Sequence, residues 1–287
     1  MNVQKWLDRN TTSLSGKTVV ISGSTGGLGR ELCFHLASLG ARLVLLDRNR
    51  AKSLALAEEL KAKYKELSVS HLTADMSDME SVRAAAEKLS SMDIDYLILN
   101  AGAYSIPRFK TDLGYDNVYQ INFVSPYYLA RRLLQNIKAR DGKIVAVGSI
   151  AHNYSKIDER DIDFSTRKQA SLVYGNAKRY LTYSLFALDG ESISVAHPGI
   201  SFTGITNHYP RLIFAIIKHP MKIIFMHPRV ACLSVLSGMF TDSRAGRWIG
   251  PWLFDVWGRP SKKKLRTAST SEAAKIAEIA ENIYNKI

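Results

Sequence analysis

The chain has 287 residues, of which 46% are hydrophobic and 23% charged, a balance that excludes the disordered and fibrous classes. Its net charge of +13 suits an anionic small molecule, a nucleic acid or an anionic membrane surface. No helix-turn-helix, RNP or zinc motif accompanies that charge, so we expect no nucleic-acid partner.

The sequence shows no sign of a targeting segment, a metal site or a disulfide. Residues 1–16 have no apolar core, so we expect that they are not a signal peptide. The chain contains no run of about 18 apolar residues, so we expect no membrane-spanning helix. Cys33 and Cys232 fall in apolar stretches, and the seven histidines lack ligand spacing. We therefore expect no metal, no disulfide and a reducing, cytoplasmic location.

Apolar runs of strand type alternate with helical patterns along most of the chain. In chain order, strands are predicted at 17–22, 42–46, 68–73, 96–99, 143–147, 192–197 and 247–249. Helices are predicted at 28–39, 49–65, 78–90, 123–138, 171–188, 228–239 and 271–287, with Asp78 as an N-cap. Such alternation predicts one α/β domain over 1–287 with a doubly wound parallel sheet of about seven strands, after an N-terminal extension at 1–15. Functional side chains should then lie at the carboxyl ends of strands.

The turn between the first strand and the first helix, SGSTGGLG, is the first candidate site. Glycine lets the backbone approach a pyrophosphate closely, and the free N–H groups of the following helix attract its charge. The candidate dinucleotide contacts are Gly23, Ser24, Thr25, Gly27, Leu28 and Gly29. The spacing is GxxxGxG, and such a turn without a ligand is the alternative reading.

The end of the second strand bears on the choice of cofactor. Asp47 stands where a carboxylate can accept hydrogen bonds from the adenosine ribose. The same charge repels a 2′-phosphate and favours NAD, whereas the neighbouring Arg48 can pair with that phosphate and admit NADP. We expect an NAD(P) protein, with NAD favoured by Asp47.

A tyrosine and a lysine four residues apart in a helical pattern are the candidate catalytic pair. Tyr174 and Lys178 would share one helix face, where the cation should lower the pKa of the phenol and make it an acid/base group. An inert surface pair is the alternative. What favours chemistry is that Ser149, Asn100 to Gly102, and Pro198 with Gly199 and Thr203 all follow predicted strands, while Asn122 opens a predicted helix.

These motifs together resemble the short-chain dehydrogenase/reductase family, over residues 16–204. The resemblance is carried by SGSTGGLG, LDR, ADM, LNAGA, the Asn122 helix, the serine strand, YGNAK and HPG. It implies a Rossmann fold and NAD(P)-linked hydride transfer to or from an alcohol or carbonyl compound. Tyr174 would then exchange the substrate proton and Lys178 would lower its pKa and bind the nicotinamide ribose. Ser149 would bind the reacting oxygen, and Asn122 would anchor a water of a proton relay.

The resemblance also implies further cofactor contacts and a branch of the family. The contacts would be Asp75, Met76, Asn100, Ala101, Gly102, Pro198, Gly199, Ile200 and Thr203. Ser22 and Leu99 replace the usual threonine and asparagine, and Ser149 stands 25 positions before Tyr174, more than is usual. That insertion, and SIAH at 149–152, resemble the retinol-dehydrogenase-like branch.

The segment 200–227 would cover the substrate. Its many isoleucines, leucines and phenylalanines predict a lid for a lipophilic substrate; the alternative is helices packed on the core or on a second subunit, which leaves a homo-oligomer open. Its basic residues and 262–266 suit a peripheral membrane contact, which we do not favour. The rival function is a dinucleotide-sensing regulator without chemistry. Retention of Asn122, Ser149, Tyr174 and Lys178 together argues against it.

Overall fold

In this computed structural model of the protein, residues 1–199, 226–241, 247–265 and 267–287 are described. The strands are β1 (Thr18–Ser22), β2 (Arg42–Asp47), β3 (Val69–Thr73), β4 (Tyr96–Leu99), β5 (Lys143–Val147), β6 (Ile193–Ala196), β7 (Arg247–Leu253) and β8 (Trp257–Lys264). The helices are α1 (Val3–Asn10), α2 (Gly27–Ser38), α3 (Arg50–Lys63), α4 (Met79–Ser90), α5 (Asn117–Tyr119), α6 (Ser125–Lys138), α7 (Ala170–Leu188), α8 (Pro228–Ala231), α9 (Leu233–Phe240) and α10 (Thr270–Tyr284). A π-helical turn, Gln120–Val124, joins α5 to α6, and a 3₁₀ turn, Ile150–Asn153, follows β5.

The strands form one sheet in the order β3-β2-β1-β4-β5-β6-β7-β8, and every pair except β7·β8 is parallel. The doubly wound α/β prediction is therefore confirmed. The strand order reverses between β1 and β4, which places a crevice beyond the carboxyl ends of these two strands. Ser22 and Asn100 stand at that point.

The sheet is buried on both faces, and successive side chains of each strand point alternately into the two apolar layers that cover it. In β1, Val20 contributes to one apolar layer, while Val19 and Ile21 contribute to the other. One layer is completed by α4, α6, α7 and α10, and the other by α2, α3 and α9. Both free cysteines, Cys33 and Cys232, are buried in the second layer.

Three features of the fold differ from the sequence prediction. The sheet has eight strands rather than about seven, since WGRPSKKK forms an antiparallel edge strand whose lysines and proline an edge can accommodate. Residues 1–15 are no mere extension: α1 buries Leu7, and Leu14 follows it into the core. The helix predicted from 123 already begins at Asn117, because a π-helical turn breaks the 3.6-residue period used to find it.

None of the helices in the described part of the chain combines the length and the apolar character needed to cross a bilayer.

Candidate active site

The glycine turn is fixed to the end of β4 by contacts that need the absence of side chains. Gly23 has a φ of +67°, and a Cβ there would lie 2.8 Å from the Cα of Ala101. At Gly29 a Cβ would lie 2.2 Å from the carbonyl oxygen of Gly23. The amide Nδ2 of Asn100 donates to the carbonyl oxygens of Ser22 at 3.0 Å and of Gly23 at 2.9 Å. These contacts restrict the glycine turn to a single backbone conformation.

The first turn of α2 offers the groups that hold a phosphate. Its N-cap is Gly26, which supplies no capping side chain, so the first N–H groups of α2 are not satisfied by one. Helix N-termini of this kind bind anions. Ser24, Thr25, Gly27 and Leu28 lie in or beside this turn, and the residues present fit a dinucleotide pyrophosphate.

Asp47 is engaged differently from the sequence prediction. Its carboxylate is 4% exposed and accepts hydrogen bonds from the hydroxyls of Ser24, Ser53 (3.1 Å) and Thr25 (3.3 Å), and from the backbone N–H of Thr25 (3.3 Å). The carboxylate therefore holds the glycine turn onto β2. Arg48, the next residue, is exposed.

The predicted adenine contacts lie just beyond the end of β3. The Asp75 carboxylate accepts from the backbone N–H and the hydroxyl of Ser77, at 2.9 and 2.7 Å. Met76 is buried, and its carbonyl oxygen accepts from the Ser125 hydroxyl at 2.7 Å. These bonds order the segment on the same sheet edge as the glycine turn.

Ser149 and Tyr174 are brought together by β5 and α7. The Ser149 side chain lies near the Tyr174 hydroxyl, and the ring of Tyr104 packs edge-on against Tyr174 with centroids 5.3 Å apart. Burial raises the pKa of Tyr174 to about 12, although the Ser149 side chain acts to lower it. The sequence argument expected a lowered pKa for this phenol, and that direction is wrong because the phenol is fully enclosed.

Lys178 lies one helical turn from Tyr174, as predicted. Its Nζ is 5.6 Å from the centroid of the Tyr174 ring and donates to the carbonyl oxygen of Val147 at 2.9 Å. Burial lowers the pKa of Lys178 to about 7, since the ammonium loses its hydration there. The amine therefore titrates near neutral pH, and its charge responds to whatever binds beside it.

Gly102 joins the glycine-turn side of the crevice to the catalytic helix. A Cβ at Gly102 would lie 2.8 Å from Asn122 Oδ1 and 3.7 Å from Lys178 Nζ. Asn122 is fully buried inside the π-helical turn and does not open a helix. Its amide donates to the carbonyl oxygens of Ala103 and Val118, both at 2.8 Å. The predicted catalytic residues and the cofactor turn thus meet at one place.

A layer beneath the catalytic residues was not found from the sequence. The ring of His152 donates through Nδ1 to the carbonyl oxygen of Ser149, and the carbonyl oxygen of His152 accepts from Arg179 Nη1 at 2.9 Å. Arg179 is buried and forms a two-point ion pair with Glu272 of α10, at 2.8 and 2.7 Å. Arginine directly after Lys178 resembles a surface residue in the sequence, and no local pattern identifies its partner.

Two contacts explain how the long insertion after Ser149 is accommodated. Gly175 lets α7 approach the 3₁₀ turn, since a Cβ there would lie 2.4 Å from the carbonyl oxygen of Ala151. The side chain of Asn176 donates to the carbonyl oxygen of Ile162 at 2.7 Å and holds the insertion against α7. Both residues belong to the YGNAK motif, so its middle positions have packing roles.

The nicotinamide end is described only in part. Pro198 and Gly199 follow β6, and Gly199 has a φ of +82° with the carbonyl oxygen of Val256 2.7 Å from its missing Cβ. Ile200 and Thr203, and the predicted substrate cover except Met226 and His227, lie outside the described residues.

The chain is similar to known proteins both in sequence and in fold. The model of the short chain dehydrogenase family matches residues 17–159. Retinol dehydrogenase 12 of Mus musculus is 32% identical over 206 residues, which are 68% of this chain and 65% of that protein. The chain belongs to the short-chain dehydrogenase/reductase family. Its relatives place it in the retinol-dehydrogenase-like branch, as SIAH and the insertion indicated.

Solved structures agree on the fold of this chain. A crystal structure of an uncharacterized protein from Mycobacterium Paratuberculosis has a TM-score of 0.75 and 24% identity, covering 96% of this chain and 95% of that one. L-Sorbose reductase from Gluconobacter frateurii, solved with NADPH and L-sorbose, has a TM-score of 0.60 and 22% identity, covering 82% and 98%. At such identities the likeness shows the fold alone. The match to the mouse relative spans less than two thirds of its length.

Proposed function

We propose that the protein is an NAD(P)-dependent oxidoreductase that interconverts an alcohol and a carbonyl compound, with Tyr174 as the acid/base. The observation that carries the proposal is the junction at Gly102, where a missing side chain leaves room between the glycine-turn crevice, Asn122 and Lys178. Family membership supports the same reaction class.

The nicotinamide would supply or accept the hydride. The whole dinucleotide would be held by Gly23, Ser24, Thr25, Gly27, Leu28, Gly29, Asp75, Met76, Asn100, Ala101, Gly102, Pro198, Gly199, Ile200 and Thr203, together with Tyr174 and Lys178. The pKa of about 12 keeps the Tyr174 hydroxyl protonated at neutral pH, so it is ready to donate a proton to a carbonyl oxygen. Ser149, which lies near that hydroxyl, would hold the same oxygen.

Lys178 and Asn122 would support the proton step from the other side. The Lys178 amine has a pKa of about 7, so a negative charge that develops on Tyr174 would favour its ammonium form. That ammonium would stabilise the phenolate after proton donation. Asn122 would keep Ala103 and the π-helical turn in place and anchor a water next to Lys178.

Replacing Tyr174 by Phe tests the reaction class. The variant should lose at least about 10³-fold in turnover, because it keeps the ring and removes the proton. Binding of NADH and NADPH, measured by fluorescence titration, should change less than about threefold. Tyr154→Phe, an exposed tyrosine, serves as the matched control and should keep full activity. A wild-type protein that binds dinucleotide but turns over no member of a carbonyl panel would instead be a regulator.

For the cofactor, we propose that Arg48 admits the 2′-phosphate of NADP. The sequence favoured NAD through repulsion by Asp47, but three protein side chains already hold that carboxylate, and Arg48 is exposed beside it. Arg48→Ser should weaken NADPH about tenfold and leave NADH unchanged, because a charge-assisted contact is lost. Arg42→Ser, at the opposite end of β2, is the control. Equal loss for both dinucleotides would remove the proposal.

The substrate we propose is a lipophilic alcohol or aldehyde of the retinoid kind. It rests on the apolar composition of 200–227 and on the retinol dehydrogenases among the relatives. Turnover should favour retinaldehyde over a short aldehyde by at least about tenfold in kcat/KM, since each buried methylene adds binding energy. Equal efficiencies would contradict the lipophilic site and leave the reaction class untouched.

A further inference from the structure

The hairpin of β7 and β8 carries an aromatic residue where the backbone disfavours one. Residues 254–256 connect the two strands, and Phe254 and Asp255, the central residues of the turn, have φ angles of +51° and +60°. Hairpin turns of this form select asparagine, aspartate and glycine, and a bulky residue in the left-handed region is an outlier. Phe254 is nevertheless 85% exposed, so no packing inside the described protein compensates for it.

The turn is held in this conformation by hydrogen bonds from His197 and Lys263. The His197 ring donates through Nε2 to the carbonyl oxygen of Asp255 at 3.0 Å. The Asp255 carboxylate accepts from Lys263 Nζ at 2.6 Å. Because these contacts fix the turn, they fix where Phe254 is presented. An unfavourable residue kept in place by its surroundings is a sign of function.

Two tryptophans extend the exposed aromatic surface. Trp252 is 58% exposed and Trp257 37% exposed, so three large aromatic residues within six positions face solvent. The indole of Trp252 lies against Gly258, where a Cβ would be only 2.2 Å from its Cδ1. This contact orients the ring along β8. The other large exposed hydrophobic side chains of the described residues are scattered singly.

Basic residues follow this aromatic turn along the hairpin towards its other end. Arg259, Lys262 and Lys264 are exposed on β8, and Arg247 stands directly across from Lys264 in the register. No acid among the described residues forms an ion pair with these four side chains, while Lys263 is neutralised by Asp255. Like charges opposed across strands are destabilising. A negatively charged partner would remove that repulsion.

We propose that the β7–β8 hairpin seats the protein on an anionic lipid bilayer. Trp and Phe at the turn would enter the interfacial layer, and the basic residues of β8 would contact the headgroups. A second copy of the chain fits less well, since pairing two β8 edges would bring two basic strands together. The hairpin also borders the active site, because Val256 contacts Gly199 at the end of β6. Docking would therefore bring the substrate side of the enzyme to the membrane.

Vesicle co-sedimentation with the purified full chain tests this surface. Wild-type protein should bind vesicles of phosphatidylcholine mixed with phosphatidylserine and bind pure phosphatidylcholine far more weakly. Phe254→Asn should weaken binding about tenfold, since an aromatic anchor is lost while asparagine tolerates the turn. Lys262→Glu with Lys264→Glu should weaken it about thirtyfold. Bound wild-type protein should show a blue-shifted tryptophan emission that brominated lipid quenches.

Matched variants separate this surface from general effects of hydrophobicity and charge. Phe109→Asn removes another exposed aromatic residue, and Lys52→Glu with Lys65→Glu reverses two exposed charges elsewhere; both should bind as wild type. Binding that is unaffected by Phe254→Asn, or equal on both lipids, would overturn the proposal. So would a stable dimer in lipid-free solution that Phe254→Asn dissociates. The assay uses no turnover, so its outcome is independent of the proposed reaction.

Discussion

The two sides of the candidate active site are stabilised by different means. On the cofactor side, the glycine turn is set by backbone contacts that exclude side chains, as at Gly23 and Gly29, and by hydrogen bonds from Ser24 and Thr25 to Asp47. On the catalytic side, Ser149 and α7 rest on an ion pair between the buried Arg179 and the half-buried Glu272, which are 93 positions apart. The cofactor side therefore depends on glycines, whose lack of a side chain permits the close contacts. The catalytic side depends on an ion pair for which the C-terminal helix α10 supplies the carboxylate.

Breaking the ion pair should have the largest effect on stability. Arg179→Met leaves the Glu272 carboxylate without its cation and should lower the free energy of unfolding by about 4 kcal/mol. Urea unfolding followed by circular dichroism measures this. Arg179→Met with Glu272→Met should recover part of the loss, because no charge then stays buried alone. Lys61→Met, which breaks an exposed pair with Glu58, should cost less than about 0.5 kcal/mol.

The glycine side should respond to a single methyl group. Gly29→Ala should cost about 2 kcal/mol of stability, since its Cβ would collide with the Gly23 carbonyl oxygen, and should weaken dinucleotide binding. Gly26→Ala is the control in the same turn, because its Cβ would meet that oxygen at an ordinary 3.5 Å. Unfolding and nucleotide titration measure both variants. Equal behaviour of the two alanines would mean that the turn is not constrained as described.

The smallest expected effect, measured over one pH unit, is a pH dependence of stability that arises from the buried His197. Burial lowers the pKa of His197 to about 3, so the folded protein resists protonation there while the unfolded chain takes up a proton below about 6.5. Stability should therefore fall as pH falls from about 6.5 towards 3, by about 1 kcal/mol over the first unit. His197→Gln should flatten the slope measured by urea unfolding. A slope equally reduced by His227→Gln, on the exposed side, would contradict this assignment.

The sequence predicted those parts of the molecule whose information is local. Apolar runs located β1 to β7, and YGNAK together with the serine strand brought Ser149, Tyr174 and Lys178 to one place. The position of Asn122 was misjudged because a π-helical turn leaves no periodic signal in the sequence. The edge strand β8 was missed because its lysines and proline do not resemble a buried strand.

The rest depends on burial, which a sequence does not state. The pKa of Tyr174 is raised because the ring is enclosed by the protein, and the spacing of Tyr174 and Lys178 in the sequence gives no information about that burial. In the sequence, Arg179 resembles a solvent-exposed arginine, because its partner Glu272 lies in α10, 93 positions away. Similarly, the sequence predicts that Asp47 accepts hydrogen bonds from the ribose, because it does not show that the hydroxyls of Ser24 and Thr25 donate to this carboxylate.

The engagement of Asp47 has a consequence for redesigning the enzyme. An engineer who wished to exchange one dinucleotide for the other would first think of replacing this carboxylate. Its removal would leave the hydroxyls of Ser24 and Ser53 without their acceptor and loosen the loop that both cofactors need. Selectivity and foldability would thus be tied together at Asp47, and under the proposed role of Arg48 that residue would be the position where preference is altered without that penalty.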